Sequence, residues 1–168
     1  MSTSPPPPDS SQRGSPQGAA MPASPAWASG PMPSTDIRLL LVDVHTISRR
    51  SSRLLLNSLP GLVVVGETSE HQEALRLVCD LRPDVVLISM RVQGATGPET
   101  ARQMLQRVPT TRVVFLTLFD DPEYVDSALE AGALGYVLKQ EPAAEILKAI
   151  QKVAHGQTYL SPGLSARS

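Results

Sequence analysis

The sequence predicts a doubly wound α/β domain, a five-stranded parallel sheet with five helices packed on its two faces, preceded by a disordered tail. Two observations predict the fold. From residue 37 onward, five short and almost wholly apolar runs succeed one another, the pattern of strands buried on both faces. After each run comes a segment of helical periodicity, and such close alternation requires a parallel sheet with right-handed crossovers. A third observation, an abrupt change of composition at residue 37, marks where the domain begins.

The elements follow in order. IRLLLV (37–42) is the first strand, and residues 46–59 form the first helix, with Ile47, Leu54, Leu55 and Leu59 on one side. LVVVGE (62–67) is the second strand, and residues 70–82 carry Ala74, Val78 and Leu81 on one stripe. DVVLIS (84–89) is the third, and the helix over 98–108 opens with Pro98, suited to a first helical turn. RVVFLTL (112–118) is the fourth, and PEYVDSALEA (122–131) stops before Gly132. GYVLK (135–139) is the fifth, and the helix over 142–155 carries Ile146, Leu147, Ile150 and Val153 and stops at Gly156. The domain is thus expected over 37–158, with 159–168 a tail or the start of a linker.

Residues 1–36 hold nine of the sixteen prolines, eight serines and no apolar period. Such a stretch buries too little surface to offset the entropy of ordering and is expected to be disordered, with Trp27 a lone exposed aromatic. It lacks the basic start and apolar core of a secretory signal, and no run is long enough to span a membrane, so a cytoplasmic location is expected. The single Cys79 excludes an internal disulfide framework, and its helical stripe suggests buried packing. Over 37–168 acids and bases balance, so direct nucleic-acid binding by this chain is not expected.

In a doubly wound sheet the functional crevice lies outside the carboxyl ends of the strands. Asp43 and Val44 follow the first strand, Ser89 ends the third, Thr117 lies near the end of the fourth, and Lys139 ends the fifth. The segments LLVDVH, VVGET, RPDVVLISMRVQG, VVFLTLFDDPEYVDSALEAGALGYVLK and HGQTYLSP resemble the receiver domain of bacterial response regulators. The likeness is to the subfamily whose receivers precede a helix-turn-helix DNA-binding domain, as in LuxR, NarL and FixJ-type regulators. It covers about residues 37–162.

The resemblance implies two adjacent acids holding Mg²⁺, an aspartate accepting a phosphoryl group from a histidine kinase, a hydroxyl and a lysine binding the phosphoryl oxygens, and a switch aromatic. Thr117, Lys139 and Tyr136 match the last three. The second acid is instead Val44, the acceptor is Ser89, and Val92-Gln93-Gly94 replaces Met-Pro-Gly. Mg²⁺ usually takes one or two carboxylates plus phosphate, so Asp43 is the residual candidate ligand and Mg²⁺ binding is expected to be weak or absent. A serine hydroxyl needs an activating base, and phosphoryl transfer needs the metal. The expectation is a degenerate phosphorylation site with no catalytic residue and no cofactor.

Lys139 is read as a strand-end cation pairing with Asp43. Thr117 is also an ordinary strand residue, and Tyr136 either a switch rotamer or an edge aromatic beside the last helix. His45, His71 and His155 are read as solvated, and Arg49, Arg50 and Arg53 as a solvated face or an acidic-partner contact. The leading expectation is a phosphorylation-independent module that binds a protein or itself through a helical face. The resemblance suggests the first and fifth helices, or the fourth helix with the fifth strand and helix, for a homodimer. The alternatives are a conventional phospho-switch, the receiver part of a longer DNA-binding regulator, and a small-molecule binder in the crevice.

Overall fold

The computed structural model describes residues 35–164. The reading of the N-terminal stretch as a disordered tail, with Trp27, falls outside the described residues. The elements run β1 (Ile37–Val42), α1 (Thr46–Ser58), β2 (Leu62–Thr68), α2 (His71–Leu81), β3 (Val85–Ile88), β4 (Arg91–Val92), β5 (Ala95–Thr96), α3 (Gly97–Arg107), β6 (Arg112–Thr117), α4 (Pro122–Glu130), β7 (Gly135–Leu138), α5 (Ala143–Ala154) and β8 (Tyr159–Leu160).

The main sheet has the order β2-β1-β3-β6-β7-β8, and all its pairings are parallel. Alternate strand residues feed two separate cores. Leu40, Val42, Val86, Ile88, Phe115 and Tyr136 face α2, α3 and α4. Leu39, Leu41, Val85, Leu87, Leu116 and Val137 face α1 and α5. Burial on both faces explains why the strands read as unbroken apolar runs. Each fully buried Leu or Val contributes about 1.5–3 kcal/mol.

Helix starts match local chemistry. Thr96 caps α3 by accepting from the Glu99 N–H at 3.1 Å, and Pro98 occupies the first turn. Glu70 caps α2 by accepting from the Glu73 N–H at 3.1 Å.

The elements and their burial depart from the sequence reading in several places. Tyr159–Leu160 adds a sixth strand, because Ser161 ties it to β7, its N–H donating to the Tyr136 carbonyl and its hydroxyl accepting from the Leu138 N–H. Residues 91–96 form a small antiparallel hairpin, turning through Gly94 at φ 97°. Cys79 is exposed, because the stripe that α2 buries runs through Ala74, Leu75 and Val78. On α1, Leu56 alone is buried, while Ile47 is 80% and Leu54 70% exposed. Of the apolar side assigned from spacing, Ile47, Leu54 and Leu55 are exposed, and Leu59, at the helix end, packs partly buried against the core.

Candidate functional site at the strand ends

Backbone bonds align the strand ends. The Asp43 N–H donates to the Thr68 carbonyl at 3.0 Å, the Ser89 N–H to the Val42 carbonyl at 3.0 Å, and the Lys139 N–H to the Thr117 carbonyl at 2.8 Å. Asp43, Ser89 and Thr117 are all buried there, and Val44 is half-buried beside them.

The structure joins Asp43 directly to Lys139. Lys139 Nζ lies 2.7 Å from Asp43 Oδ2 and also donates to the Ser48 hydroxyl at 2.6 Å. Ser48 donates in turn to Asp43 Oδ2 at 3.0 Å, and the His45 N–H donates to Oδ1 at 3.0 Å. Both carboxylate oxygens are thus engaged. Burial alone would raise the Asp43 carboxyl, but the Lys139 ammonium, the His45 N–H and the Ser48 hydroxyl outweigh it and hold it below the usual carboxylate range.

Ser48 was not among the sequence candidates. Its signal is positional: α1 begins at the crevice, so a polar residue in its first turn reaches the strand ends. Ser89 contributes no side-chain hydrogen bond to this network.

Thr117 accepts the Phe119 N–H at 3.3 Å. Tyr136 is fully buried rather than at an edge, stacked on Phe115 with ring centroids 6.2 Å apart. Its hydroxyl donates to the Phe119 carbonyl at 2.5 Å, pinning the loop after β6. Burial, with the charges of Asp120 and Asp121 added, pushes the Tyr136 phenol well above its ordinary range.

The histidines divide. His45 and His155 are exposed as read, whereas His71 is buried. Its Nδ1 is 2.8 Å from Thr100 Oγ1, which donates to the Thr96 carbonyl at 2.8 Å. Its backbone N–H donates to the Gln93 carbonyl at 2.9 Å, so the hairpin covers it. The arginine cluster is partly internal. Arg49 binds Glu67 at 3.1 Å and the Asp43 carbonyl at 2.8 Å, and Arg53 lies 3.3 Å from Glu67. Arg50 is exposed.

Gly97 brings α3 against the site. A Cβ there would lie 2.1 Å from the Ser89 carbonyl oxygen, so only glycine allows this approach. No helix among the described residues is long and apolar enough to cross a membrane.

The parallel order β2-β1-β3-β6-β7, with polar groups gathered at the strand ends, defines a doubly wound α/β domain whose crevice lies at the switch in strand order. Residues 39–151 match the response regulator receiver domain family. The chain belongs to that family.

It is 35% identical over 131 residues to the transcriptional regulatory protein LiaR of Bacillus subtilis, covering 78% of this chain and 62% of that protein. It is 36% identical over 129 residues to the response regulator GacA of Pseudomonas syringae pv. syringae, covering 77% and 60%. The chain therefore spans about three-fifths of the length of these curated relatives. Among solved structures, a LuxR-family two-component response regulator from Aurantimonas sp. SI85-9A1 superposes with a TM-score of 0.73 at 34% identity, covering 77% of this chain and 93% of that one.

Proposed function

We propose that this receiver works in two-component-type signalling or transcription regulation without aspartyl phosphorylation, as a dimerisation or protein-interaction module. One observation carries the reading: Asp43, Lys139 and Ser48 form a closed network beside Val44 and Ser89.

Each group that phosphoryl transfer would need is missing or engaged. Mg²⁺ takes hard oxygen ligands in near-octahedral geometry. Val44 offers no side-chain oxygen, both Asp43 oxygens are engaged, and no cluster of three His, Cys, Asp or Glu side chains occurs among the described residues. The residues present do not fit the ion. Ser89 has no base beside it to activate its hydroxyl, since Asp43 is held by Lys139. With Tyr136 buried and Lys139 captured, the crevice rests in one arrangement without a phosphoryl group.

The interaction role rests on α1, where Ile47 and Leu54 leave two large apolar side chains in solvent and Leu55 is partly exposed beside them. Positions 47, 51 and 54 share the outward side of the helix. An antiparallel two-fold pairing of α1 with its copy would set Ile47 against Leu54 and Ser51 near the axis. The names of the relatives favour a place as the receiver part of a longer transcription regulator.

The test is an amide NMR titration with Mg²⁺ followed by beryllofluoride, which mimics a phosphoryl group only on an acceptor carboxylate. Resonances of Asp43, Ser89, Thr117 and Lys139 are expected to stay in place. Saturable shifts there would restore the conventional phospho-switch.

A further inference from the structure

Two hollows open at the mouth of the crevice, of about 440 and 330 Å³, each within the usual size of a small-molecule site. They adjoin, sharing Met90, Arg91 and Thr96 as a common wall. Val44 and Val92 line the larger one, and Phe119 and Tyr124 the smaller. No carboxylate lines either, and Asp120 and Asp121 lie outside both.

The charged side chain lining these hollows is a cation, Arg91, while Asp120 and Asp121 follow Phe119 outside them. Asp43 is neutralised by Lys139 behind the hollows. Arg91 is exposed, lies over the Phe119 ring at 5.7 Å, and has no carboxylate partner among the described residues. Phe119 and Tyr124 stand 5.0 Å apart at 41°, a bent aromatic wall. Thr96 uses its oxygen to cap α3, so its hydroxyl hydrogen is left to donate.

We propose that this mouth binds a small aromatic carboxylate, its ring against Phe119 and Tyr124 and its acid group on Arg91 and Thr96. The guanidinium supplies a planar two-donor fork matched to a carboxylate. The aromatic wall and Met90 supply a face for a flat ring. The inference rests on the reading that no metal or phosphoryl group occupies the crevice. It adds that the mouth beside Val44 is selective for an anion with an apolar body.

The experiment titrates the full chain with 2-naphthoate, and in parallel with the neutral 2-naphthalenemethanol, following amide NMR shifts. Saturable shifts are expected at Met90, Arg91, Phe119 and Ser127, with a Kd of about 1 mM or tighter for a ligand of this size. Arg91→Gln, at an exposed position, is expected to weaken 2-naphthoate about tenfold, the loss of one charge-assisted contact. The same variant should leave the alcohol unchanged. Ser127→Leu, which fills the smaller hollow, should abolish binding of both.

No saturation with 2-naphthoate overturns the proposal, as does saturation mapping to α1 and α5 instead. Indifference of 2-naphthoate affinity to Arg91→Gln also overturns it. A chain that ignores Mg²⁺, beryllofluoride and 2-naphthoate loses this proposal and keeps the phosphorylation-independent reading. One that binds beryllofluoride loses that reading itself.

Discussion

Helices α1 and α5 cover the same face of the sheet but are held to it by different forces. Helix α5 buries Ile146, Ala149, Ile150 and Val153. Helix α1 buries only Leu56, and its first two turns are fixed by polar bonds: Ser48 to Asp43 and Lys139, Arg49 to Glu67 and to the Asp43 carbonyl. An amphipathic helix normally spends its apolar stripe on the core. Here polar anchors leave Ile47 and Leu54 over, and the crevice network becomes part of what secures α1.

Four perturbations test that contrast. The largest effect is expected from Lys139→Met, which leaves the Asp43 charge buried and uncompensated. It should cost about 3–5 kcal/mol in urea unfolding and lower amide protection in the first turn of α1. Adding Asp43→Leu should recover most of that loss, since an apolar pair can replace a buried ion pair. If the double variant is as unstable as the single one, the network is not an isolated pair.

Next comes α5. Ile150→Ala removes a fully buried side chain and should cost about 2–5 kcal/mol. Loss of stability there should leave the hydrogen bonds around Asp43 intact until global unfolding.

The third effect is pH-dependent and confined to the α1 anchor. The folded Asp43 carboxyl lies below its ordinary value of 3.8. Its stabilisation is therefore complete above that value and is lost as pH falls through the folded pKa. Between about pH 6 and about pH 3, the wild-type chain should lose more stability than Asp43→Asn, which lacks this titration. Equal losses would mean other carboxylates carry the acid sensitivity.

The smallest effect on stability is expected from Ile47→Ser with Leu54→Ser, both outward-facing. Unfolding should shift by no more than about 0.5 kcal/mol per site. Sedimentation of the same variant should show weakened self-association if α1 is the interaction surface. Unchanged association would move the interface elsewhere on the domain.

Some residues were legible without coordinates and some were not. Pro98 announces the first turn of α3, and Gly132 and Gly156 the ends of α4 and α5, because starts and stops act over a few residues. The apolar residues of α1 misled for a definite reason. Spacing identifies a side of a helix, but Leu56 rather than Leu54 meets the sheet, and nothing local distinguishes them. His71 reads as a surface histidine because the hairpin that buries it is short and carries little strand signal. Tyr136 reads as an edge aromatic because β8 is two residues long.

By itself the sequence determined the alternation of strands and helices, the parallel sheet, and which residue types stand at the strand ends. Those follow from periodicity and run length, which are properties of neighbouring residues. The tertiary structure alone decided that Lys139 closes on Asp43 and Ser48, 96 and 91 residues away in the chain. It also decided that Gly97 lies against the Ser89 carbonyl, and that Arg91 lies over Phe119 at the mouth of two hollows without a carboxylate. Such contacts depend on the distance between segments remote in sequence, which is fixed only when the sheet and its helices pack.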